Sequence, residues 1–416
     1  MSEHIIPAHL PKKLTISFPI WGLYATPDAP VYADPYRFMR EHRERGFNCV
    51  RFDDGAGLSH DLNGKRRGPV SITPCYGTLD RKMRQFLGGT GSVDTMQRLI
   101  DMCRAAKEYD TYLILSSWYY LHTYWMADNT LNDELYAIPV HERFMAFAKF
   151  LDYILCELEA LHLEDRIAFC EVFNEADSML FAGGYGKDKT ITDAELLKFR
   201  HDHEKALDYL KARHPEILFA FDTSTPDITA EQILPNMDLL NFHSYYVWDI
   251  YSEFQQKGVA DPYMIERPLT TEEALATREG KYPSHEDWYE RARFYPSLDE
   301  KKLPEACRWF EKRFEETYDH WCENMDKGLL NIEKLRRELF PDKPVVMGEG
   351  VTYIGRVGLN WEENDPLFIK LLERQQLKHK ELGLWGTVVR TCCGPEDNIW
   401  TEHPDLLLHL NKMFAE

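Results

Sequence analysis

The stretch that most directly indicates the fold is IAFCEVFNEADS, residues 167–178. It begins as an apolar run of strand-forming residues and ends in Glu171, Asn174 and Glu175. Side chains alternate along a strand, so Glu171, Phe173 and Glu175 share one face, and Asn174 marks the point where the strand ends. A polar turn after a strand is the simplest interpretation, and the rest of the chain has to show whether these side chains meet others.

Short apolar runs of the same kind recur along the chain, and longer segments of helical period follow them. The predicted strands are 13–19, 47–52, 111–117, 166–172, 217–222, 238–243, 344–349 and 384–390. Alternating strands and helices are typical of parallel α/β proteins, and eight such units predict an α/β fold of the closed (β/α)8 barrel (TIM barrel) type. A doubly wound open sheet is the competing architecture, but no glycine fingerprint follows the first strand.

Two helices have well-marked boundaries. In residues 141–161 the apolar side chains recur at a period of 3.6 residues, which predicts a helix that packs on a sheet. A second helix is expected to begin at a cap residue, Asp365, with Pro366 in its first turn, and to end at Gly383.

The connections from each strand to the next helix are long, whereas those from helix to strand are short. In barrels of this type the strand-to-helix loops form the rim that carries active sites, so the extra length surrounds a pocket. We expect residues 1–416 to form a single barrel, with an insertion at 247–303 that folds as a lid or small subdomain. A peripheral dimer surface is an equally good interpretation of that insertion.

Charge and composition narrow the class of function. The 416 residues carry a formal charge of −20, which repels nucleic acid and anionic lipid and favours a neutral substrate. We find neither a signal-peptide pattern nor a membrane-spanning apolar run, and the nine cysteines lack C-x-x-C spacing. These features predict a cytoplasmic protein with reduced thiols and no membrane or nucleic-acid partner.

A second carboxylate, Glu349, lies at the end of the predicted strand 344–349. Glu175 has a corresponding place just beyond the end of the predicted strand 166–172. Two carboxylates on facing strand ends are the minimum that glycoside hydrolysis requires. One must stay protonated to assist the leaving oxygen, and the other must stay ionised to attack the anomeric carbon.

These residues also carry a resemblance. The segment EVFNEA, residues 171–176, resembles the E-[LI]-x-N-E-P motif of clan A glycoside hydrolases, especially the cellulase-like family 5, and VVMGEG, residues 345–350, resembles their GE[FY]G motif. The resemblance implies a (β/α)8 barrel with Glu175 as acid/base and Glu349 as nucleophile. It also implies a retaining mechanism, with neither a cofactor nor a metal. Because we find no export signal, the expected substrate is a small carbohydrate, an oligosaccharide or small glycoside.

Further positions match that family at the expected strand ends. By resemblance, Arg51 and Tyr245 support the nucleophile, His243 lines the sugar site, and Asn174 binds a sugar hydroxyl. The chemistry agrees, because a guanidinium and a phenol would keep Glu349 ionised. Glu171 is interpreted as a structural residue that is paired inside the barrel.

The chain departs from the family pattern in three places. Ala176 replaces the usual proline. The tryptophan expected after the last strand is absent from VVRTCCG, residues 388–394, which leaves Trp400 as a candidate stacking platform. The third strand ends in SSW instead of a histidine, so Trp118 or His122 is the candidate there.

Two other functions remain open from the sequence. Glu175, Asp222, His243 and Glu349 lie at successive strand ends in a plausible ligand order, which suits a manganese- or magnesium-dependent sugar isomerase or epimerase. A non-catalytic sugar-binding barrel is the other alternative. The sequence also leaves open whether the chain forms a homo-oligomer.

Overall fold

Eight parallel strands close into a barrel in the computed structural model of the chain, which describes residues 6–19, 33–53, 55–72, 91–117, 134, 137–177, 191–268, 270, 294–352, 356–395 and 397–416. The strands are β1 Leu14–Ser17, β2 Cys49–Asp53, β3 Tyr112–Ser116, β4 Ile167–Glu171, β5 Phe219–Thr223, β6 Leu239–Ser244, β7 Val345–Gly350 and β8 Gly386–Val388. Each strand pairs with its neighbours in chain order, and β1 pairs with both β2 and β8 to close the ring. The predicted strands and the (β/α)8 barrel are confirmed, and the open-sheet alternative is wrong.

Within the described residues, seven long helices accompany the strands. They are α1 Pro35–Glu44, α2 Thr95–Glu108, α3 Val140–Ala160, α4 Asp193–Arg213, α5 Leu303–Leu339, α6 Pro366–Glu381 and α7 Pro404–Ala415. Shorter helical segments are Ala56–Ser59, Glu164–Arg166, Asp249–Phe254, Asp261–Tyr263, Tyr295–Ser297, Glu300–Lys302, Trp361–Asn364 and Asn398–Glu402. A small antiparallel sheet, Val70–Ile72 with Gly91–Val93, lies between β2 and α2.

The two well-marked helices are confirmed as α3 and α6. At α6, a carboxylate oxygen of Asp365 accepts the Leu367 backbone N–H at 2.7 Å, so Asp365 is the N-cap. Beyond the end of the helix Gly383 has a φ of +68°, a backbone conformation that glycine adopts without strain.

The connection between β5 and β6, residues 224–238, contains no helix, although the strand–helix alternation predicted one. The long helix α5 packs against this connection instead. Gly328 lies so close to it that a Cβ there would be 2.8 Å from Pro226 Cγ, and Asn331 donates to the Pro226 carbonyl oxygen at 2.7 Å. Because α5 already covers this side of the barrel, a separate helix is not needed to bury it.

The insertion at 247–303 is described only in part, because 269 and 271–293 lie outside the described residues. In the described part, the Phe254 ring packs against Phe294, Trp309 and Phe310, with ring centroids 6.0, 5.1 and 4.6 Å away. This side of the insertion is therefore attached to α5 through aromatic contacts. The assignment as a lid or subdomain stays a prediction.

The strands are buried on both faces, as is typical of parallel sheets that helices cover. The eight cysteines that the structure describes form no disulfide. No helix in the described ranges has an apolar stretch that could cross a bilayer.

Candidate active site

Polar side chains meet at the carboxyl ends of the barrel strands. The register of the parallel pairs brings His243 on β6 beside Glu349 on β7, and Asp222 on β5 beside Asn241 on β6. These four side chains are buried, together with Arg51 on β2. A charged cluster of this kind is stable only when its members are paired and hydrogen-bonded, so the individual contacts decide its chemistry.

Arg51 lies between two carboxylates and is fully buried. It donates to both oxygens of Glu171, at 3.0 Å from Nε and 2.7 Å from Nη2, and from Nη1 to Glu349 Oε1 at 2.5 Å. The two-point contact with Glu171 fixes the guanidinium plane. Glu171 is therefore paired inside the barrel, as its sequence position suggested, and Arg51 presents its remaining edge to Glu349.

Glu349 accepts hydrogen bonds from two strong donors. One oxygen faces Arg51, and Oε2 accepts the Tyr245 hydroxyl in a short hydrogen bond. Tyr245 in turn accepts from Thr391 Oγ1 at 3.2 Å, which fixes the direction of the phenol. Burial raises the pKa of Glu349 above its usual 4.5, and the charges of His243 and Arg51 oppose that rise.

Glu175 follows β4 in a left-handed backbone conformation with a φ of +50°. Its side chain is 19% exposed, whereas that of Glu349 is 4% exposed, so the first carboxyl group is the more accessible from the rim. Glu175 Oε1 lies 2.9 Å from His243 Nδ1. One carboxylate oxygen of Glu175 and one of Glu349 lie within 4.8 Å of each other, so both can face the same small group.

His243 lies between three carboxylates. Its Nδ1 faces Glu175, and its Nε2 lies 3.2 Å from Asp222 Oδ2 and 3.5 Å from Glu349 Oε1. Burial opposes a charge on the imidazole, but Asp222 and Glu349 outweigh it and raise the pKa of His243 well above 6.5. The three carboxylates therefore favour the charged form of His243, with Nδ1 in hydrogen-bond contact with Glu175 and Nε2 at ion-pair distance from Asp222 and Glu349.

The structure brings six of the predicted site residues into one cluster: Glu175, Glu349, Arg51, Asn174, His243 and Tyr245. Asn174 belongs to it because its Oδ1 accepts from Arg51 at 2.6 Å. These residues come from β2, β6, β7 and the loop after β4, so they are distant in sequence and adjacent only in the closed barrel.

The other two predicted site residues are not part of this cluster. Trp118, like its alternative His122, lies outside the described residues. Trp400 is 1% exposed, its ring stacks on Phe47 with centroids 5.7 Å apart, and its indole N–H donates to Glu41 on α1. A stacking platform has to expose a ring face, so Trp400 is not included in the site proposed below.

Sequence reasoning missed several supporting residues. Asn241 donates to Glu171 at 2.8 Å and to Asp222 at 2.6 Å, and Ser116 accepts from Arg51 at 3.2 Å. A signal was present for Asn241, because it lies two residues before His243 on the same strand and so shares its face. Ser116 ends its strand in the same way as the acidic residues.

Arg390 lies two residues beyond the end of β8. It is buried and bonds to Glu362 at 2.6 Å and to Glu363 at 3.0 Å, both in the short helix after β7. Tyr251, in the insertion, also donates to Glu362. Through this ion pair, the loop after β7 is joined both to the end of β8 and to the insertion. A buried salt bridge therefore lies just beyond the end of β8.

A polar cavity of about 350 Å³ adjoins the cluster. Tyr245, which contacts Glu349, lines it, and so does Ser224, whose hydroxyl donates to Asp177 in the loop that carries Glu175. Trp248 and Lys327 lie on its other sides. The cavity therefore offers an aromatic ring and hydrogen-bonding groups, and Tyr245 connects it to Glu349.

Comparison with known proteins shows how far the fold is shared. Neither a protein-family model nor a curated protein sequence matches the chain. A solved structure from Parabacteroides distasonis ATCC 8503, provisionally described as a glycoside hydrolase, aligns with a TM-score of 0.65 at 16% identity, over 97% of this chain and 93% of that one. A glycoside hydrolase family 5 enzyme from Prevotella bryantii B14 aligns with a TM-score of 0.50 at 13% identity, over 94% and 87%.

The barrel fold is shared with both of these solved structures. Both alignments cover nearly the whole of each chain, so the shared feature is the complete barrel. The second structure belongs to the family that the EVFNEA and VVMGEG motifs resemble. At these identities the likeness concerns architecture, and the chemistry of this chain has to be argued from its own residues.

Proposed function

We propose that the protein is a retaining glycoside hydrolase that cleaves a β-glycosidic bond in an oligosaccharide or small glycoside. The observation that carries the proposal is the pair of carboxylates, Glu175 and Glu349, with oxygens within 4.8 Å of each other at one end of the barrel. Retaining enzymes hold their carboxyl groups about 5–5.5 Å apart, whereas inverting enzymes need about 6.5–9.5 Å to admit a water molecule.

In the proposed first step, a Glu349 oxygen attacks the anomeric carbon and the bond from that carbon to the leaving oxygen breaks. Glu175 gives its proton to the leaving oxygen. In the second step, Glu175 takes a proton from water, the water oxygen attacks the anomeric carbon, and the bond to Glu349 breaks. Two inversions at the same carbon retain its configuration.

The surroundings of the two carboxyl groups suit these different roles. Glu349 is held by Arg51 and Tyr245, both of which favour the ionised nucleophile. Glu175 contacts His243 and is the more exposed of the two carboxyl groups. An accessible carboxyl group can give its proton to the leaving oxygen and then take a proton from water.

The overall charge supports a neutral sugar as the substrate. A chain with a formal charge of −20 repels anions, and the adjoining cavity is lined by hydroxyl, amide and aromatic groups of the kind that bind sugars. A small glycoside or the end of an oligosaccharide in the cytoplasm is therefore the proposed substrate, and the pocket is expected to trim chain ends.

A metal-dependent isomerase is the second candidate, because one atom each from Glu175, His243 and Glu349 lie within 4.8 Å of one another. One contact weighs against it. Arg51 already occupies Glu349 Oε1 at 2.5 Å, and a guanidinium beside a metal cation is electrostatically unfavourable. Hydrolysis that continues in the presence of a chelator would separate the two functions.

The test is a panel of nitrophenyl β-glycosides given to the wild type, Glu349→Ala and Glu175→Ala. The wild type should release nitrophenol from at least one of these glycosides. NMR of the released sugar should show that the configuration at the anomeric carbon is retained. Each variant should lose on the order of a thousandfold or more in kcat, since loss of a nucleophile or general acid removes several kcal/mol of transition-state stabilisation.

Added azide separates the roles, because it can enter the space of the missing carboxylate. Glu349→Ala should form a glycosyl azide of inverted configuration, and Glu175→Ala one of retained configuration. Glu373→Ala, which alters a surface carboxylate on α6 that pairs with His409, is the matched control and should keep the wild-type rate. Equal rates in the wild type and Glu349→Ala would end the nucleophile assignment, and sugar binding without product release would favour a non-catalytic barrel.

A further inference from the structure

Asp222 has a place in the cluster that neither the motifs nor the two-step reaction assigns to it. It is the penultimate residue of β5, is 1% exposed and contacts Glu175, Asn241 and His243. Its Oδ1 accepts the backbone N–H of Glu175 at 2.5 Å, and its Oδ2 accepts from Asn241 at 2.6 Å. The same Oδ2 lies 3.2 Å from Nε2 of His243.

The contact with Glu175 explains how a non-glycine residue keeps its left-handed backbone. A φ of +50° is unfavourable for an L-residue and needs support from its surroundings. Asp222 supplies that support twice, through its side chain at the Glu175 N–H and through its backbone oxygen, which accepts from the Ala176 N–H at 3.1 Å. The turn that directs Glu175 into the barrel mouth is therefore bound to the end of β5.

The second contact reaches the carboxyl group of Glu175 through His243. Asp222 faces Nε2, and Nδ1 on the other side of the ring lies 2.9 Å from Glu175 Oε1. One carboxylate thus holds both the backbone and the side chain of the residue that is to give and take the proton.

We propose that Asp222 is a positioning residue for the acid/base carboxyl group, acting directly on the Glu175 backbone and through His243 on its side chain. This inference rests on the proposed function, because it presumes that Glu175 exchanges a proton with substrate. With Oε1 accepting the Nδ1–H of His243, a proton that Glu175 carries resides on Oε2. Asp222 thereby selects which oxygen faces the leaving group.

The charge on His243 is the part of this arrangement that pH can change. The ionisable groups around the ring come from several elements: Asp222 on β5, Glu349 on β7, Glu175 after β4, Tyr245 just beyond β6 on its own element, and Arg51 on β2, which contacts the same carboxylates. Burial opposes the imidazolium, and the carboxylates outweigh it, so the pKa of His243 is raised well above its usual value. Removing the Asp222 charge must lower that pKa.

The test compares Asp222→Asn with Asp222→Ala across a pH series. Asparagine keeps an oxygen that can accept the Glu175 N–H but carries no charge, so His243 should lose its proton at a lower pH. The alkaline limb of the kcat profile of this variant should therefore move to lower pH by at least one unit, while its highest kcat falls less than tenfold. Alanine removes both contacts and should lower kcat by about a hundredfold or more at every pH. KM should change little in either variant.

Asp177→Asn is the matched control. Asp177 is another buried carboxylate near the same turn, but it accepts from the Ser224 backbone and hydroxyl. This variant should leave the alkaline limb where it is. An Asp222→Asn profile that superimposes on that of the wild type, with only a uniform loss of rate, would show a merely structural role and overturn the proposal.

The charge on His243 can also be measured in the wild type, so this test does not depend on the folding of a variant. Nitrogen NMR of histidine-labelled protein should show His243 with protons on both ring nitrogens at pH 8, and a neutral ring there would overturn the inference. This result is independent of catalysis. If the wild type hydrolyses no glycoside, the proposed function fails, whereas the NMR result still reports whether His243 is charged.

Discussion

At the residue scale, the adjacent residues Tyr245 and Tyr246 differ in the partners of their hydroxyl groups. The Tyr245 hydroxyl donates to Glu349 and accepts from Thr391, whereas the hydroxyl of the next residue, Tyr246, donates to Gln375 at 2.8 Å. Tyr245 is half-buried and Tyr246 is buried, and their hydroxyl groups have different partners. One supports the proposed nucleophile, and the other anchors the barrel to α6.

Tyr245→Phe should lower kcat by about 10- to 100-fold, because a hydrogen bond to a charged group contributes on the order of 1.5–3 kcal/mol. Steady-state kinetics with a nitrophenyl glycoside gives the measurement. Tyr246→Phe is the control, and it should cost about 1 kcal/mol of unfolding free energy without a change in kcat. Equal kcat values for wild type and Tyr245→Phe would mean that the phenol does not support Glu349.

The candidate residues differ in how well the sequence predicted them. Glu175 and Glu349 were recognisable because each directly follows an apolar run, at the point where a barrel strand opens onto its rim. Trp400 was misleading, because a tryptophan in a loop is expected to be accessible, yet here the ring fills the space between Phe47 and α1. Position along the chain does not reveal which neighbour covers an aromatic ring.

At the scale of elements, the close approach of β6 and β7 sets the geometry of the cluster. Gly348 lies against Asn241, and a Cβ at Gly348 would be 2.4 Å from Asn241 Nδ2. Asn241 cannot move away easily, because the same nitrogen donates to Glu171 and Asp222. The glycine before Glu349 is thus required by packing as well as by the motif.

Gly348→Ala should lower the unfolding free energy by about 1–3 kcal/mol, which is the usual cost of overpacking, and should reduce kcat because Asn241 is displaced. Urea unfolding and steady-state kinetics measure the two effects. Asn241→Ala relieves the clash, so the double variant should cost less than the sum of the two single changes. Additive effects would show that the two side chains do not interact.

Elements were predictable where local chemistry sets their limits. Asp365 and Pro366 fix the start of α6 in any context, because the cap bonds to backbone N–H groups a few residues away. The missing helix between β5 and β6 could not be foreseen. It depends on α5, which begins more than sixty residues later in the chain and covers the same side of the barrel.

At the scale of the whole molecule, stability in acid depends on neutral histidines in the packed interior. His203 on α4 stacks on Phe144 of α3 with ring centroids 4.2 Å apart and also contacts Phe221 on β5. Burial lowers the pKa of His203 to about 3. An unfolded chain gains a proton there as soon as the pH falls below about 6.5, so acid favours unfolding.

His203→Phe removes this contribution. Relative to the wild type, its unfolding free energy should rise by up to about 1.4 kcal/mol for each pH unit between pH 6 and pH 4. Urea unfolding at a series of pH values measures the slope. His201→Phe, which changes an exposed side chain on the same helix, is the control. A His203→Phe difference that stays constant over this range would contradict a neutral, buried imidazole.

The sequence by itself determined the eight strands, the caps and the two strand-end glutamates, because alternation, turn chemistry and a polar residue after an apolar run are local properties. Only the closed barrel decided the rest. It placed Arg51 between Glu171 and Glu349, attached Glu175 to Asp222, and surrounded His243 with carboxylates that raise its pKa. The physical reason is that electrostatic interactions act through space, so the charge state and orientation of a buried group depend on neighbours that the order of residues does not specify.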